Sequence, residues 1–317
     1  MSRPSADPAA ALRPRLPSPL QEVRDARFDR HGVRLLLKRD DLAHPEIPGN
    51  KWRKLVPNLR AAAAEGRGTL VTFGGAYSNH LRATAAAARL LGLRAVGIVR
   101  GHELAGRPLN PSLARCAADG MRLSFVDRAT YRRKGEPGVV TGLLAGLGLA
   151  SGDVYVVPEG GSNALAVHGC AELGRELERE LPAAAGTVAV ACGTGGTLAG
   201  LAAGLGAGRR ALGFPVLKGD FLEGEVRGLQ RAAFGGPAGD WRLDGRFHCG
   251  GFARTTGELD AFAEEFEDRH GLPVERLYVA KMLYGLGVLA REGAFAPGTA
   301  VAAVVTGPPE PGAAHGA

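Results

Sequence analysis

The sequence predicts an α/β fold whose largely parallel sheets are covered by helices on both faces. Three observations carry that reading. Short β-branched runs alternate with Ala- and Leu-rich stretches along most of the 317 residues. The longer helical stretches place apolar side chains at three-to-four spacing. Glycine-rich turns stand where strands hand over to helices, which is where open parallel sheets bind their ligands.

In chain order, the apolar run of residues 33–37 reads as a strand, followed by KRDDLAHPEIPGNKWRKL at 38–55. There two carboxylates, Asp40 and Asp41, precede a Pro-Gly turn and three cations, Lys51, Arg53 and Lys54. TLVTFGG at 69–75 is a strand and SNHLRATAAAARLLGL at 78–93 a helix; RAVGIV, PSLARCAADG and RLSFV continue as strand, helix and strand. DVYVVPEGG at 153–161 and NALAVHGCAELGRELEREL at 163–181 repeat the unit, as do TVAVACG and GTLAGLAAGL between 187 and 205. About the first 25 residues and the tail TGPPEPGAAHGA read as irregular, and no internal repeat is visible. The length suits one large or two medium domains with real cores.

Composition narrows the function. The net charge of +7 arises from 39 basic and 32 acidic residues spread along the chain, without a block of five like charges. That argues against nucleic acid as a partner and leaves a small anionic ligand or plain solubility. The four cysteines show no C-x-x-C and no zinc spacing, so a reducing compartment and no metal are expected. The N-terminus lacks the apolar core of a secretory signal, and no run of about 18 apolar residues would cross a membrane. The expectation is a soluble, cytoplasmic protein without a membrane partner.

Three loops hold the candidate chemistry. In ACGTGGTLAGL, residues Gly193, Thr194, Gly195, Gly196 and Thr197 lie between an apolar strand and an apolar helix. Converging backbone N–H groups at a helix N-terminus make a phosphate cradle, with hydroxyls adding donors; a tight packing turn is the structural alternative. Leu198 stands where a dinucleotide fingerprint needs glycine, and no Gly-Lys-Ser/Thr follows, so neither nucleotide motif fits. GGAYSNHLR sets Ser78, Asn79 and His80 at a strand end, where Ser78 also suits a helix N-cap. VPEGGSN at 157–163 has the same layout, and three such loops on one sheet edge point to one composite pocket. His44, His102, His168 and His248 have no partner at ligand spacing, Cys192 reads as packing, and Arg132, Arg133 and Lys134 read as a solvated basic run.

A phosphate cradle, a lysine after a glycine turn and no metal or dinucleotide motif suggest pyridoxal phosphate. The chain resembles the 1-aminocyclopropane-1-carboxylate deaminase/D-cysteine desulfhydrase group of fold type II, tryptophan-synthase-β-like enzymes. The resemblance rests on KRDD, GNKWRKL, TFGGAYSNH, PEGGSN, ACGTGGT and GFPVLKG, more weakly on FHCGGFA through HGLPVERLYVAKMLYGL, and spans about residues 16–306. It implies two three-layer α/β domains facing across a cleft that holds the cofactor: residues 1–51 with 161–317 as the large domain, 52–160 as the small one. It also implies a homodimer. Lys51 would be the lysine that condenses with the cofactor aldehyde, its pKa lowered by the nearby Arg53 and Lys54. Lys54 and Gly193 to Thr197 would hold the phosphate, and Asn79 the phenolic oxygen. Ser78 would meet the substrate as a candidate proton carrier; His80 matches a substrate position, and Tyr278 a ring near the cofactor that acts in acid–base or nucleophilic steps.

The departures matter for the reaction. Deaminase-like members carry an acid directly after that tyrosine; here Tyr278 is followed by Val279, Ala280 and Lys281. The closing His-Thr-Gly-Gly becomes Val305-Thr306-Gly307-Pro308, leaving Thr306 as the hydroxyl toward the pyridine nitrogen, and an upstream tyrosine becomes Phe252. A neutral partner weakens the electron sink. The expectation is therefore a lyase performing α,β-elimination on a small, cysteine-like amino acid, releasing a 2-oxo acid and ammonia. The alternatives are deamination of the cyclopropane amino acid, β-replacement or another specialised lyase step, and a cofactor-binding protein with little turnover.

Overall fold

The computed structural model describes residues 7–47 and 49–307. Helix α1 (Pro8–Leu12) precedes β1 (Leu20–Val23), α2 (Ala26–Asp29) and β2 (Arg34–Lys38). There follow α3 (Lys51–Ala64), β3 (Thr69–Gly74), α4 (Asn79–Leu91), β4 (Arg94–Arg100), α5 (Pro111–Ala118) and β5 (Met121–Val126). After α6 (Arg128–Arg132) and α7 (Pro137–Gly146) come β6 (Val154–Val157), α8 (Ala164–Glu180), β7 (Thr187–Cys192) and α9 (Gly196–Gly204). The chain continues through β8 (Arg210–Pro215), α10 (Phe221–Phe234), β9 (Asp240–Leu243), α11 (Gly257–His270), α12 (Val279–Arg291) and β10 (Ala300–Val304). Helix starts follow their capping side chains: Ser78, Asn110, Asp127, Asn163 and Thr256 each accept a first-turn N–H.

Contacts divide the chain into two compact units, Met1–Pro14 with Leu55–Gly161 and Arg15–Lys54 with Ser162–Ala317. In the second unit six strands form one sheet in the order β1-β2-β10-β7-β8-β9. Every pairing is parallel except β1 with β2. Because strand side chains alternate between faces, the inner strands β2, β10, β7 and β8 each feed two cores. Leu35, Leu37, Ala189, Ala303 and Phe214 point into one, built with Phe28 of α2, Phe262 and Phe266 of α11 and Met282 and Leu286 of α12. Leu36, Val188, Val190, Ala302 and Ala211 point into the other, against Leu173 and Leu177 of α8, Leu198 and Leu201 of α9 and Val226 of α10. Burial on both faces explains why these strands read as continuous apolar runs.

The first unit holds four parallel strands in the order β5-β4-β3-β6. Val71, Phe73, Val96 and Ile98 pack with Val126, Tyr131, Leu144 and Val154 on one face.

The expectation that the first 25 residues are irregular is corrected in part. The Asp7 carboxylate accepts from Ala9 N and Pro8 stands at the helix start, which suffices for α1. Leu20 to Val23 become a strand because β2 offers them an edge, in the register Leu20↔Lys38 to Val23↔Leu35. The expected irregular tail lies, from residue 308 onward, outside the described residues. No helix among the described residues is long and apolar enough to cross a membrane.

Candidate functional site

The second unit gathers Lys51, Lys54, the 193–197 loop, Tyr278 and Thr306; the first unit carries Ser78, Asn79 and His80. The three cations at the start of α3 have separate surroundings. Arg53 is buried and gripped by Asp40, with Nε at 2.9 and 3.0 Å from the two carboxylate oxygens and Nη2 at 2.7 Å. Its Nη2 also lies 3.1 Å from Glu176 Oε2. Glu176 in turn pairs with buried Lys38 at 2.6 Å, and Ser18 Oγ donates to Asp40 at 3.0 Å. Burial alone would weaken the guanidinium's hold on its proton; Asp40 and then Glu176 more than reverse this.

This corrects one expectation. Arg53 is not what lowers the pKa of Lys51, because its charge is neutralised by Asp40 and Glu176. The Lys51 amine is lowered to about 7, first by burial and then by the Lys54 ammonium, with Glu275 working the other way. Lys54 is itself lowered by burial. Each amine faces a neutral oxygen: Lys51 Nζ donates to Asn50 Oδ1 at 3.2 Å and Lys54 Nζ to Ser162 Oγ at 3.0 Å.

Around Lys54 the glycine loop closes a small polar cradle. Ser162 Oγ lies 2.6 Å from Thr194 Oγ1, joining the 157–163 loop to the 193–197 loop. A methyl group on Gly196 would stand 2.6 Å from Ser162 Oγ and 3.4 Å from Lys54 Nζ, so glycine keeps this space open. Gly195 caps α9 in the left-handed conformation and brings no side chain of its own to the first N–H groups of that buried helix start. Thr197 Oγ1 accepts from Asn50 Nδ2 at 2.7 Å.

Tyr278 is brought to the same loop. A methyl on Gly193 would meet its Cε1 and Oη at 3.3 Å, and Phe252 packs edge-on to its ring with centroids 6.0 Å apart. The backbone of Tyr278 is held by Glu275, a buried carboxylate accepting from Leu277 N at 2.8 Å, Tyr278 N at 2.6 Å and Val279 N at 3.4 Å. The position after Tyr278 carries no acid, but an acid stands three residues before it, at the start of α12. Thr306 follows β10, and its carbonyl accepts from Asn50 N at 3.1 Å. Gly49 has φ +54°, and a Cβ there would lie 1.5 Å from that carbonyl oxygen, so only glycine fits.

In the first unit, Ser78 is the N-cap of α4, its Oγ accepting from Leu81 N at 3.3 Å. Asn79 Oδ1 accepts from the Arg82 guanidinium. His80 is buried, with Nε2 2.8 Å from Thr72 Oγ1, which donates to the Val157 carbonyl.

The sequence reading missed Asn50, Ser162 and Glu275. Ser162 lay inside a loop already singled out and Asn50 next to Lys51; Glu275 showed no local signal. Of the weaker candidates, His44 Nδ1 accepts from Glu46 N and Ile47 N, His168 packs edge-on to Phe234, and Cys192 is buried. His102 is exposed, and His248 Nδ1 accepts from Gly250 N. Lys134 departs from a purely solvated run: it pairs with Glu159 at 2.9 Å above the Tyr131 ring.

Pyridoxal phosphate needs a lysine that is neutral near physiological pH and a nearby pocket for a phosphate. The near-neutral Lys51 amine and the cradle of Lys54, Ser162, Thr194 and the open α9 start meet both demands.

Comparison with known proteins agrees. The chain is 31% identical over 277 residues to the mitochondrial bifunctional D-cysteine desulfhydrase/1-aminocyclopropane-1-carboxylate deaminase of Arabidopsis thaliana, covering 81% of this chain and 67% of the relative. It is 29% identical to a putative 1-aminocyclopropane-1-carboxylate deaminase of Pyrococcus horikoshii, covering 83% and 81%. The crystal structure of an ACC deaminase homologue superposes with TM-score 0.79 at 27% identity, covering 96% of this chain and 95% of that one. The pyridoxal-phosphate dependent enzyme family matches residues 13–307, and the chain belongs to that family.

Proposed function

We propose that the chain is a pyridoxal-phosphate dependent lyase that performs α,β-elimination on a small, cysteine-like amino acid, releasing a 2-oxo acid and ammonia. The observation that carries the reading is the Lys51 amine, lowered to about 7 and standing on the same helix turn as the Lys54 cradle. The bound cofactor supplies an electron sink for the bonds of the substrate's α-carbon. Lys54, Ser162, Thr194, Thr197 and the backbone of Gly193 to Gly196 hold its phosphate. Lys51 would hold the cofactor through its amine and is the residue placed to move the substrate's α-proton. By the family resemblance Thr306 would face the ring nitrogen and Tyr278 the substrate, and Ser78, Asn79 and His80 are the first unit's own candidates, Asn79 for the phenolic oxygen and the other two for the substrate.

Position 279 favours elimination over ring opening. Val279 is buried and apolar, so it supplies neither proton nor charge beside Tyr278. A substrate that brings its own β-leaving group depends least on such help. A cysteine-type substrate loses its α-proton and its β-thiol, and water then frees ammonia from the remaining three-carbon unit as the 2-oxo acid. The names of the similar proteins, D-cysteine desulfhydrase among them, support this substrate class. A cytoplasmic homodimer belongs to the same proposal, on the family resemblance, and light scattering on the purified protein tests the dimer.

The deciding experiment supplies the purified protein with cofactor and measures 2-oxo acid, ammonia and sulfide from D-cysteine, L-cysteine, β-chloroalanine and the cyclopropane amino acid. Sulfide with equimolar 2-oxo acid from one cysteine enantiomer is expected. Product from the cyclopropane acid alone would replace elimination with ring-opening deamination. A visible absorbance that every substrate shifts and none consumes would leave a binding protein. Lys51→Ala is expected to lose that absorbance and at least ~10³-fold in turnover.

A further inference from the structure

The reactive amine and the anion cradle are joined by one side chain. Asn50 is 3% exposed; its Oδ1 accepts from Lys51 Nζ at 3.2 Å and its Nδ2 donates to Thr197 Oγ1 at 2.7 Å. Its backbone is fixed on both sides, with N–H on the Thr306 carbonyl at 3.1 Å and C=O accepting from Lys54 N at 3.3 Å. The amide therefore leaves a rigid point and reaches two functional groups at once.

We propose that Asn50 is a positioning residue that couples Lys51 to phosphate binding at Thr197, by accepting from the amine and turning the threonine hydroxyl toward the anion. A hydroxyl has one proton to give and lone pairs to receive. With the Asn50 amide donating to its oxygen, the Thr197 hydroxyl directs its proton to a group at the open start of α9. Donors then run in one direction, from Lys51 to Asn50 to Thr197 to the phosphate, and each polarises the next. The residue type is specific to this task. Aspartate would accept from the amine as an anion and hold it as ammonium, and it could not donate to Thr197. Leucine would leave both neighbours unpaired. The inference rests on the proposed role of Lys51 and the glycine loop as the cofactor site.

The test is a double-mutant cycle on the full chain freed of cofactor, read by calorimetric binding of inorganic phosphate. Asn50→Ala and Thr197→Val are each expected to weaken phosphate binding roughly fivefold. The double variant should bind about as well as either single one, because both remove the same donor; losses that multiply would overturn the proposal. Asn50→Asp gives an independent readout, the pH dependence of the rate at which the chain captures pyridoxal phosphate. Its midpoint is expected to rise above that of the unsubstituted chain measured alongside, and an unchanged midpoint would also overturn the coupling. Lys51→Ala separates the two layers: if it keeps the lysine-bound visible absorbance, the cofactor reading itself fails. If the absorbance is lost but the cycle is additive, only the role of Asn50 fails.

Discussion

Arg53 and Lys51 lie two residues apart on α3, yet their surroundings treat positive charge in opposite ways. Arg53 meets two buried carboxylates and is held more firmly protonated than usual. Lys51 meets an amide oxygen and a neighbouring ammonium, and its proton is loosened to about 7. The lesson is that a buried cation becomes structural or reactive according to whether an anion shares its burial. Asp40 and Glu176 are placed on Arg53, and neither bonds the Lys51 amine to hold it as ammonium.

Removing the anion that makes Arg53 structural should have the largest effect. Asp40→Ala leaves Arg53 with Glu176 alone, and breaking such a buried pair is expected to cost about 3–5 kcal/mol in thermal or denaturant unfolding. A loss below about 1 kcal/mol would erase the contrast between the two cations.

A smaller effect is expected from Lys54→Met, which takes away both a phosphate partner and the cation beside Lys51. Phosphate binding should weaken about tenfold or more. The midpoint of cofactor capture should move up from about 7 toward the ordinary lysine range, since a repelling charge is gone. Capture with an unmoved midpoint would mean that burial alone sets the Lys51 amine.

Glu275→Gln sharpens the comparison from the other side, and most gently. The Glu275 anion favours the protonated amine, so its loss should lower the capture midpoint below about 7 by a fraction of a pH unit. Glutamine offers one acceptor oxygen to the N–H groups of Leu277, Tyr278 and Val279, and α12 should lose about 1 kcal/mol of stability. An unmoved midpoint would assign Glu275 to Tyr278 alone.

Strand–helix alternation was legible because both sheets are buried on two faces and their strands are short apolar runs. The places of the glycine loop at the start of α9 and of Lys51 at the start of α3 were legible because glycine next to a charge is a local signal. β1 was not legible, since its strand character comes from pairing with β2. Arg53 was misread for the same kind of reason: its partner Glu176 stands on α8, far along the chain. Glu275 escaped because its role is defined by three backbone N–H groups, which no side-chain pattern announces. Ser78 shows the converse, a local capping signal realised in the fold that leaves its chemical role for experiment.

The close approach of Gly49 to the Thr306 carbonyl ties the start of α3 to the end of β10. Because the peptide just ahead of Lys51 rests on the strand exit at 306, a shift of the backbone there would carry to the position of the amine.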